Sequence, residues 1–134
     1  IRDSMDPDDA KMALKCGADA LVVSNHGGRQ LDGVNSSIST LPEIKKAVSN
    51  MEVLMDGGIS SGQDILKAIA MGAEGVMIGR SFVYGLSAGG KEGVTKSLEI
   101  LNKELDMTMA LCGRRDIKDV GRDIIKDCPF FEKN

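Results

Sequence analysis

Aromatic residues are scarce in this 134-residue chain, which contains three Phe, one Tyr and no Trp. Proteins that bind single-stranded nucleic acid combine a basic groove with aromatic side chains on which the bases stack. This chain has few aromatics, and its formal charge at pH 7 is -3. The composition, 42% hydrophobic and 28% charged, therefore indicates one globular unit without a nucleic-acid partner.

Cysteine is also rare, and its placement excludes two kinds of structure. Cys16, Cys112 and Cys128 are odd in number and form no CxxC pair. Neither a disulfide framework nor a cysteine zinc site is expected, and no other metal site is predicted. This usage favours a reducing, cytoplasmic setting, with peripheral attachment to the inner face of the membrane left open.

Long apolar runs are absent. A stretch such as 20–23 is far shorter than the roughly 20 residues that a membrane-spanning helix needs. The first residues carry charge where a signal peptide would be apolar. The chain begins at Ile1 without an initiator Met, so we expect 1–134 to be a single partial domain whose last residues, 127–134, form a tail.

Short β-branched runs alternate with helical patterns along the chain, which is typical of βα units that build a parallel sheet. Three buried strands are predicted at 19–25, 52–56 and 75–79, and glycine stands at or just after the end of each. Helices are predicted at 7–16, 41–49, 63–71, 92–106 and 116–126. This is the device of a (β/α)8 TIM barrel, but three strands cannot close one. The fold class is therefore α/β, with about half of such a barrel.

Reactive groups in parallel α/β folds lie at the carboxyl ends of the strands. His26, the only histidine, and Arg29 both follow the first strand. Imidazole can take a proton near neutral pH, and a guanidinium can bind a carboxylate with two hydrogen bonds. The pair suits an anionic acid substrate. The alternative is a surface loop whose glycines only allow it to turn.

The second and third strands end in glycine turns that could bind an anion. Gly57 and Gly58 follow the second strand, and Gly79 and Arg80 follow the third. Exposed main-chain N–H groups at such turns, together with a guanidinium, suit a phosphate. Asp56 could accept hydrogen bonds from ribose-like hydroxyls. Tight turning and an ordinary capping carboxylate remain the alternatives.

The sequence around His26 resembles the FMN-dependent L-2-hydroxy acid dehydrogenases and oxidases. The resemblance covers about 5–125 and includes SNHGGRQLDG at 24–33, Asp56-Gly57-Gly58, Gly62, Asp64, Lys67-Ala68, Gly72-Ala73, Gly79-Arg80 and Thr108-Met109-Ala110-Leu111 with Gly113. The residues at 33–37 and 80–84 are most similar to those of the bacterial L-lactate dehydrogenase branch.

The resemblance implies an enzyme that uses FMN to oxidise an L-2-hydroxy acid. The expected substrate is L-lactate, which is oxidised to pyruvate. The resemblance also implies that His26 is the base that removes a substrate proton and that Arg29 clamps the substrate carboxylate. The flavin carries the redox step.

The resemblance further implies that FMN is held by five residues: Asp56 on its ribityl chain, and Gly57, Gly58, Gly79 and Arg80 on its phosphate. It also implies that the family's first half, with most contacts to the flavin ring, is absent, so that this chain is the C-terminal half of a (β/α)8 TIM barrel. The missing half of the barrel, or self-association, is the expected partner.

Two positions depart from the family's pattern. Arg2 stands nearest to the place of a flavin-contacting lysine, and Ser60-Ser61 stands where an arginine is common. Two alternative functions remain open. One is another phosphate-binding barrel enzyme similar to inosine monophosphate dehydrogenase, and the other is a non-catalytic remnant or docking subunit.

Overall fold

The structure is a computed structural model that describes residue 1 and residues 4–126. Arg2, Cys128 and the expected tail at 127–134 lie outside the described residues. Within the described part, no helix is long and apolar enough to cross a membrane.

Three parallel strands form the sheet, in the order in which they occur along the chain: β1 (Ala20–Ser24), β2 (Glu52–Asp56) and β3 (Gly75–Met77). This confirms the parallel sheet that the sequence predicts. The register places Ser24 beside Asp56 and Asp56 beside Met77. Because the strands run in the same direction, all three carboxyl ends lie at one edge of the sheet.

The helices lie between and after the strands, at α1 (Pro7–Lys15), α2 (Ser37–Ala47), α3 (Gly62–Ala70) and α4 (Arg80–Leu111), with short 3-10 turns at His26–Gly28, Ile117–Asp119 and Arg122–Ile124. A side-chain oxygen caps each of the first three helices, from Asp6, Ser36 and Ser61 respectively. These caps satisfy main-chain N–H groups that a helix start leaves without partners.

The core lies between the sheet and the first three helices. Its largest fully buried side chains come mainly from β1, β2 and α2, and include Leu21, Val23, Val53, Leu41 and Ile44. A second, smaller cluster joins α3 to the end of the described chain through Leu66, Ala70 and Val120. The core thus fixes the strands relative to α2 and α3, from which the loops at the carboxyl edge extend.

Three of the helix predictions differ from the structure. The helix predicted at 41–49 begins at Ser37, because the Ser36 hydroxyl accepts a hydrogen bond from the Ser39 N–H and starts the helix early. The helix predicted at 116–126 is wrong, since two 3-10 turns stand there instead. Between these turns Val120 is extended and only 9% exposed, so its burial against α3 interrupts the helical pattern.

The third difference concerns the helix predicted at 92–106. In the structure α4 starts at Arg80 and ends at Leu111, and it is a helical hairpin. Its helical geometry breaks at Gly89 and at Gly90, where φ is 57°. The chain folds back there, so Gly85 and Gly93 face each other with no room for a side chain between the two segments.

We expect Gly93→Ala to lower the free energy of unfolding by about 1–3 kcal/mol, the cost of forcing an extra methyl group into a packed interface. Its Cβ would overlap the main-chain oxygen of Gly85. Gly89→Ala is the matched control, because its Cβ meets no described atom within 4 Å and its φ of -154° suits any residue. Denaturant unfolding measures both, and equal losses would contradict the close approach.

Candidate functional site

All seven site residues predicted from the sequence line one cleft at the carboxyl edge of the sheet, with a volume of about 500 Å³. They are His26, Arg29, Asp56, Gly57, Gly58, Gly79 and Arg80. This volume lies in the range of small-molecule and cofactor sites. The cleft brings together the predicted substrate residues and the predicted phosphate residues, while their roles stay predictions.

His26 occupies a backbone conformation that is unusual for a side chain other than glycine. Its φ is 53°, and it is the one non-glycine residue with positive φ in the described ranges. The His26 main-chain N–H donates a hydrogen bond of 3.1 Å to the Ser24 hydroxyl. The same hydroxyl donates to Asp56 Oδ2 at 2.9 Å. Ser24 therefore links the His26 loop to the carboxylate at the end of β2.

Sequence reasoning gave Ser24 no role of its own. A signal was present, because a serine closes an otherwise apolar strand and is 1% exposed in the structure. Buried hydroxyls almost always have a hydrogen-bond partner. The partner could not be named from the sequence, since it depends on the register between β1 and β2.

Arg29 follows the short turn that begins at His26. Gly27 and Gly28 have φ of 68° and 72°, which glycine adopts without a steric penalty. The turn is closed by a hydrogen bond from the Gly28 N–H to the Asn25 carbonyl at 2.9 Å. The chain thus reverses so that the imidazole and the guanidinium line the same cleft.

The same cleft contains a cradle of main-chain groups, formed by Gly57, Gly58, Gly79 and Arg80. Gly57 and Gly58 have φ of 95° and 82°, and a Cβ built at Gly58 or Gly79 would meet no described atom within 4 Å. Arg80 is the first residue of α4, and among the described residues no side chain caps that helix start. Uncapped N–H groups, glycine turns and a guanidinium fit a phosphate group.

The loop between this cradle and α3 is held by Asp64. Its Oδ2 accepts hydrogen bonds from the N–H and the hydroxyl of both Ser60 and Ser61, at 2.9 to 3.1 Å. Burial raises the pKa of Asp64, but the hydrogen bonds from Ser61 and Ser60 outweigh it and leave the pKa below the ordinary 3.8. The Ser60-Ser61 pair therefore fixes the turn that follows Gly58.

In the part of the chain that the structure describes, no group of three or more His, Cys, Asp or Glu side chains is placed to hold a metal ion.

The cleft brings an imidazole, a guanidinium and an anion cradle together. These groups suit a negatively charged substrate beside a phosphate-bearing cofactor.

Comparison with known proteins gives a match over most of the chain. The family model described as FMN-dependent dehydrogenase matches residues 4–127. An L-lactate dehydrogenase from Stenotrophomonas maltophilia (strain R551-3) is 48% identical over 130 residues, which are 96% of this chain and 34% of that protein. A 2-hydroxyacid oxidase from Dictyostelium discoideum is 51% identical over 128 residues, 95% of this chain and 33% of that protein.

Solved structures agree with the sequence matches. The crystal structure of mandelate oxidase with benzoyl-formic acid superposes with a TM-score of 0.86 and 46% identity, and covers 90% of this chain and 36% of that one. The chain therefore has the fold of a segment of a (β/α)8 barrel flavoenzyme. It spans about a third of the length of the curated relatives it matches.

Asp64→Asn should destabilise the chain at neutral pH, because an amide cannot accept four hydrogen bonds as a carboxylate does. A carboxylate whose pKa is lower in the folded chain contributes stability above pH 3.8 and loses it as the pH falls through the folded pKa. The difference in unfolding free energy from wild type should therefore shrink in acid. Asp106→Asn, on the exposed side of α4, is the control; a difference that does not vary with pH would contradict the role of Asp64.

Proposed function

The chain belongs to the FMN-dependent dehydrogenase family, and from this premise we propose that it supplies the phosphate cradle, the base and the carboxylate clamp of an enzyme that oxidises an L-2-hydroxy acid, with L-lactate as the substrate. The observation that carries the proposal is the single cleft that His26 and Arg29 line together with the glycine cradle. The family match favours this function over the alternative, an enzyme similar to inosine monophosphate dehydrogenase.

The cradle fits the phosphate end of FMN. The N–H groups of Gly57, Gly58 and Gly79 and the guanidinium of Arg80 would hold the phosphate, since the space in front of Gly58 and Gly79 is open. Asp56 would accept hydrogen bonds from ribityl hydroxyls, because a carboxylate can accept several beside the one from Ser24. When bound, FMN supplies the electron acceptor of the reaction.

At the substrate end, Arg29 would hold the carboxylate of the hydroxy acid in a two-bond clamp. This clamp orients the hydroxyl-bearing carbon toward His26. Oxidation of that carbon to a carbonyl removes two electrons and two protons. The His26 imidazole would take one proton, and bound FMN would supply the acceptor for the two electrons and the other proton. Arg29 and His26 extend from the same short loop, so the clamp would hold the substrate in a fixed position relative to the base. Such fixed positioning of reacting groups raises the rate.

The two outer strands of the sheet, β1 and β3, support a role for the chain as part of a larger barrel. The Ile1 main chain pairs with β1 through hydrogen bonds to Ala20 and Val22, while β3 has no further strand among the described residues. Open edges of parallel strands favour pairing with additional chain. We propose that further barrel strands, on another segment or another copy, complete the walls of the flavin site.

The test replaces the matching segment of the Stenotrophomonas maltophilia enzyme with this chain, and loads the chimera with FMN. Oxidation of L-lactate, glycolate and mandelate is followed with a dye as electron acceptor. We expect L-lactate to be the best substrate, and we expect residues 1–134 alone to bind FMN weakly and to show no turnover. A folded, FMN-loaded chimera without turnover would favour the remnant or docking role.

In the same chimera, Arg29→Lys should lower kcat/KM for L-lactate roughly 10- to 100-fold, because a hydrogen bond to a charged group contributes about 1.5–3 kcal/mol and an ammonium cannot form the two-bond clamp. Arg115→Lys, at an exposed position outside the cleft, is the matched control. Equal kcat/KM for the two variants would show that Arg29 does not clamp the substrate.

A further inference from the structure

Asn25 stands where three segments of the chain meet. Its Oδ1 accepts a hydrogen bond from the Gly27 N–H at 3.0 Å, and its Nδ2 donates to the Asn35 carbonyl at 3.3 Å. Its own main-chain N–H donates to the Ser37 hydroxyl at 3.2 Å, at the start of α2. One half-buried side chain thus ties the His26 turn to the segment that leads into α2.

Asn25 also packs directly against the phosphate cradle. A Cβ at Gly57 would lie 2.8 Å from Asn25 Oδ1 and 3.1 Å from Ser37 Oγ, so only glycine allows this approach. The turn after β1 and the turn after β2 are therefore in contact through Asn25. Any shift of the Asn25 side chain would change the distance between the substrate end and the cofactor end of the cleft.

His26 lies inside the small ring that Asn25 closes. The hydrogen bond from Gly27 to Asn25 spans His26, whose φ of 53° is unfavourable without such support. Asn25 does not line the cleft itself but lines two neighbouring hollows. It is therefore placed to act on the cleft through its neighbours.

We propose that Asn25 is a positioning residue that holds His26 in its left-handed conformation and sets the His26 turn against the Gly57 cradle. The inference rests on the proposed function for its effect on turnover, but its structural part does not. An amide suits this place because it carries an acceptor and a donor on one side chain. Aspartate keeps the acceptor for the Gly27 N–H and loses the donor to Asn35.

The structural test uses NMR on the chain, in which His26 is the only histidine and its ring signals need no assignment by mutation. Three variants are compared: Asn25→Ala, Asn25→Asp and the control Asn35→Ala, which keeps the Asn35 carbonyl. In Asn25→Ala we expect the Gly27 amide to exchange roughly tenfold faster and the His26 ring signals to shift, since Gly27 loses its capping acceptor. Asn25→Asp should retain the Gly27 protection, because the two side chains cap equally well.

The functional test uses the FMN-loaded chimera. Asn25→Ala should lower kcat roughly 10- to 100-fold, because a small misplacement of a reacting group has effects of that size. Its pH profile should change, whereas its affinity for FMN should stay within about twofold of wild type. Asn25→Asp should recover most of kcat, and Asn35→Ala should match wild type.

The outcomes separate this inference from the proposed function. If the unmutated chimera turns over no hydroxy acid but Asn25→Ala still alters the Gly27 and His26 signals, the positioning role stands and the proposed function fails. If the chimera is active and Asn25→Ala matches Asn35→Ala in kcat, in pH profile and in the NMR signals, the inference is overturned. Should Asn25→Ala not fold, Asn25→Asp decides, since loss of the Gly27 protection in that variant contradicts the role of Oδ1.

Discussion

The parallel register between β1 and β2 is the constraint on which the rest of the site depends. It sets Ser24 beside Asp56, and the Ser24 hydroxyl joins the two strand ends by accepting from the His26 N–H and donating to the carboxylate. A slip of one residue would turn every side chain of a strand to the other face. The buried pattern of Leu21 and Val23 makes such a slip costly, so the core that stabilises the sheet also aligns the site.

The loops beyond the strand ends are held by side chains that do not line the cleft themselves. Asn25 stabilises the His26 turn by accepting a hydrogen bond from Gly27. Asp64 stabilises the turn that follows Gly58 by accepting hydrogen bonds from Ser60 and Ser61. The positive φ at His26 is tolerated because such contacts surround it, whereas Gly57 and Gly58 adopt positive φ without a steric penalty. Binding and catalytic groups in this fold extend from loops, and their precision comes from such supporting contacts.

Much of this arrangement could be predicted from the sequence, because it follows from local patterns. Apolar runs ending in glycine predicted three parallel strands, and strand direction alone predicted that His26, Asp56 and Arg80 would share one edge. Contacts between distant segments could not be predicted. The hairpin in α4 depends on the meeting of Gly85 and Gly93, and the extended Val120 depends on burial against α3. The early start of α2 is different, because the Ser36 cap is a local contact.

The most direct test of the account is whether the cradle at the ends of β2 and β3 recognises the phosphate of FMN. Amide chemical shifts of the chain can be compared during titration with FMN and with riboflavin, which has the same ring and ribityl chain but no phosphate. We expect FMN to shift the amides of Gly57, Gly58, Gly79 and Arg80, and riboflavin to leave them nearly unchanged. Equal shifts with both flavins, or shifts confined to the outer face of α4, would contradict the account.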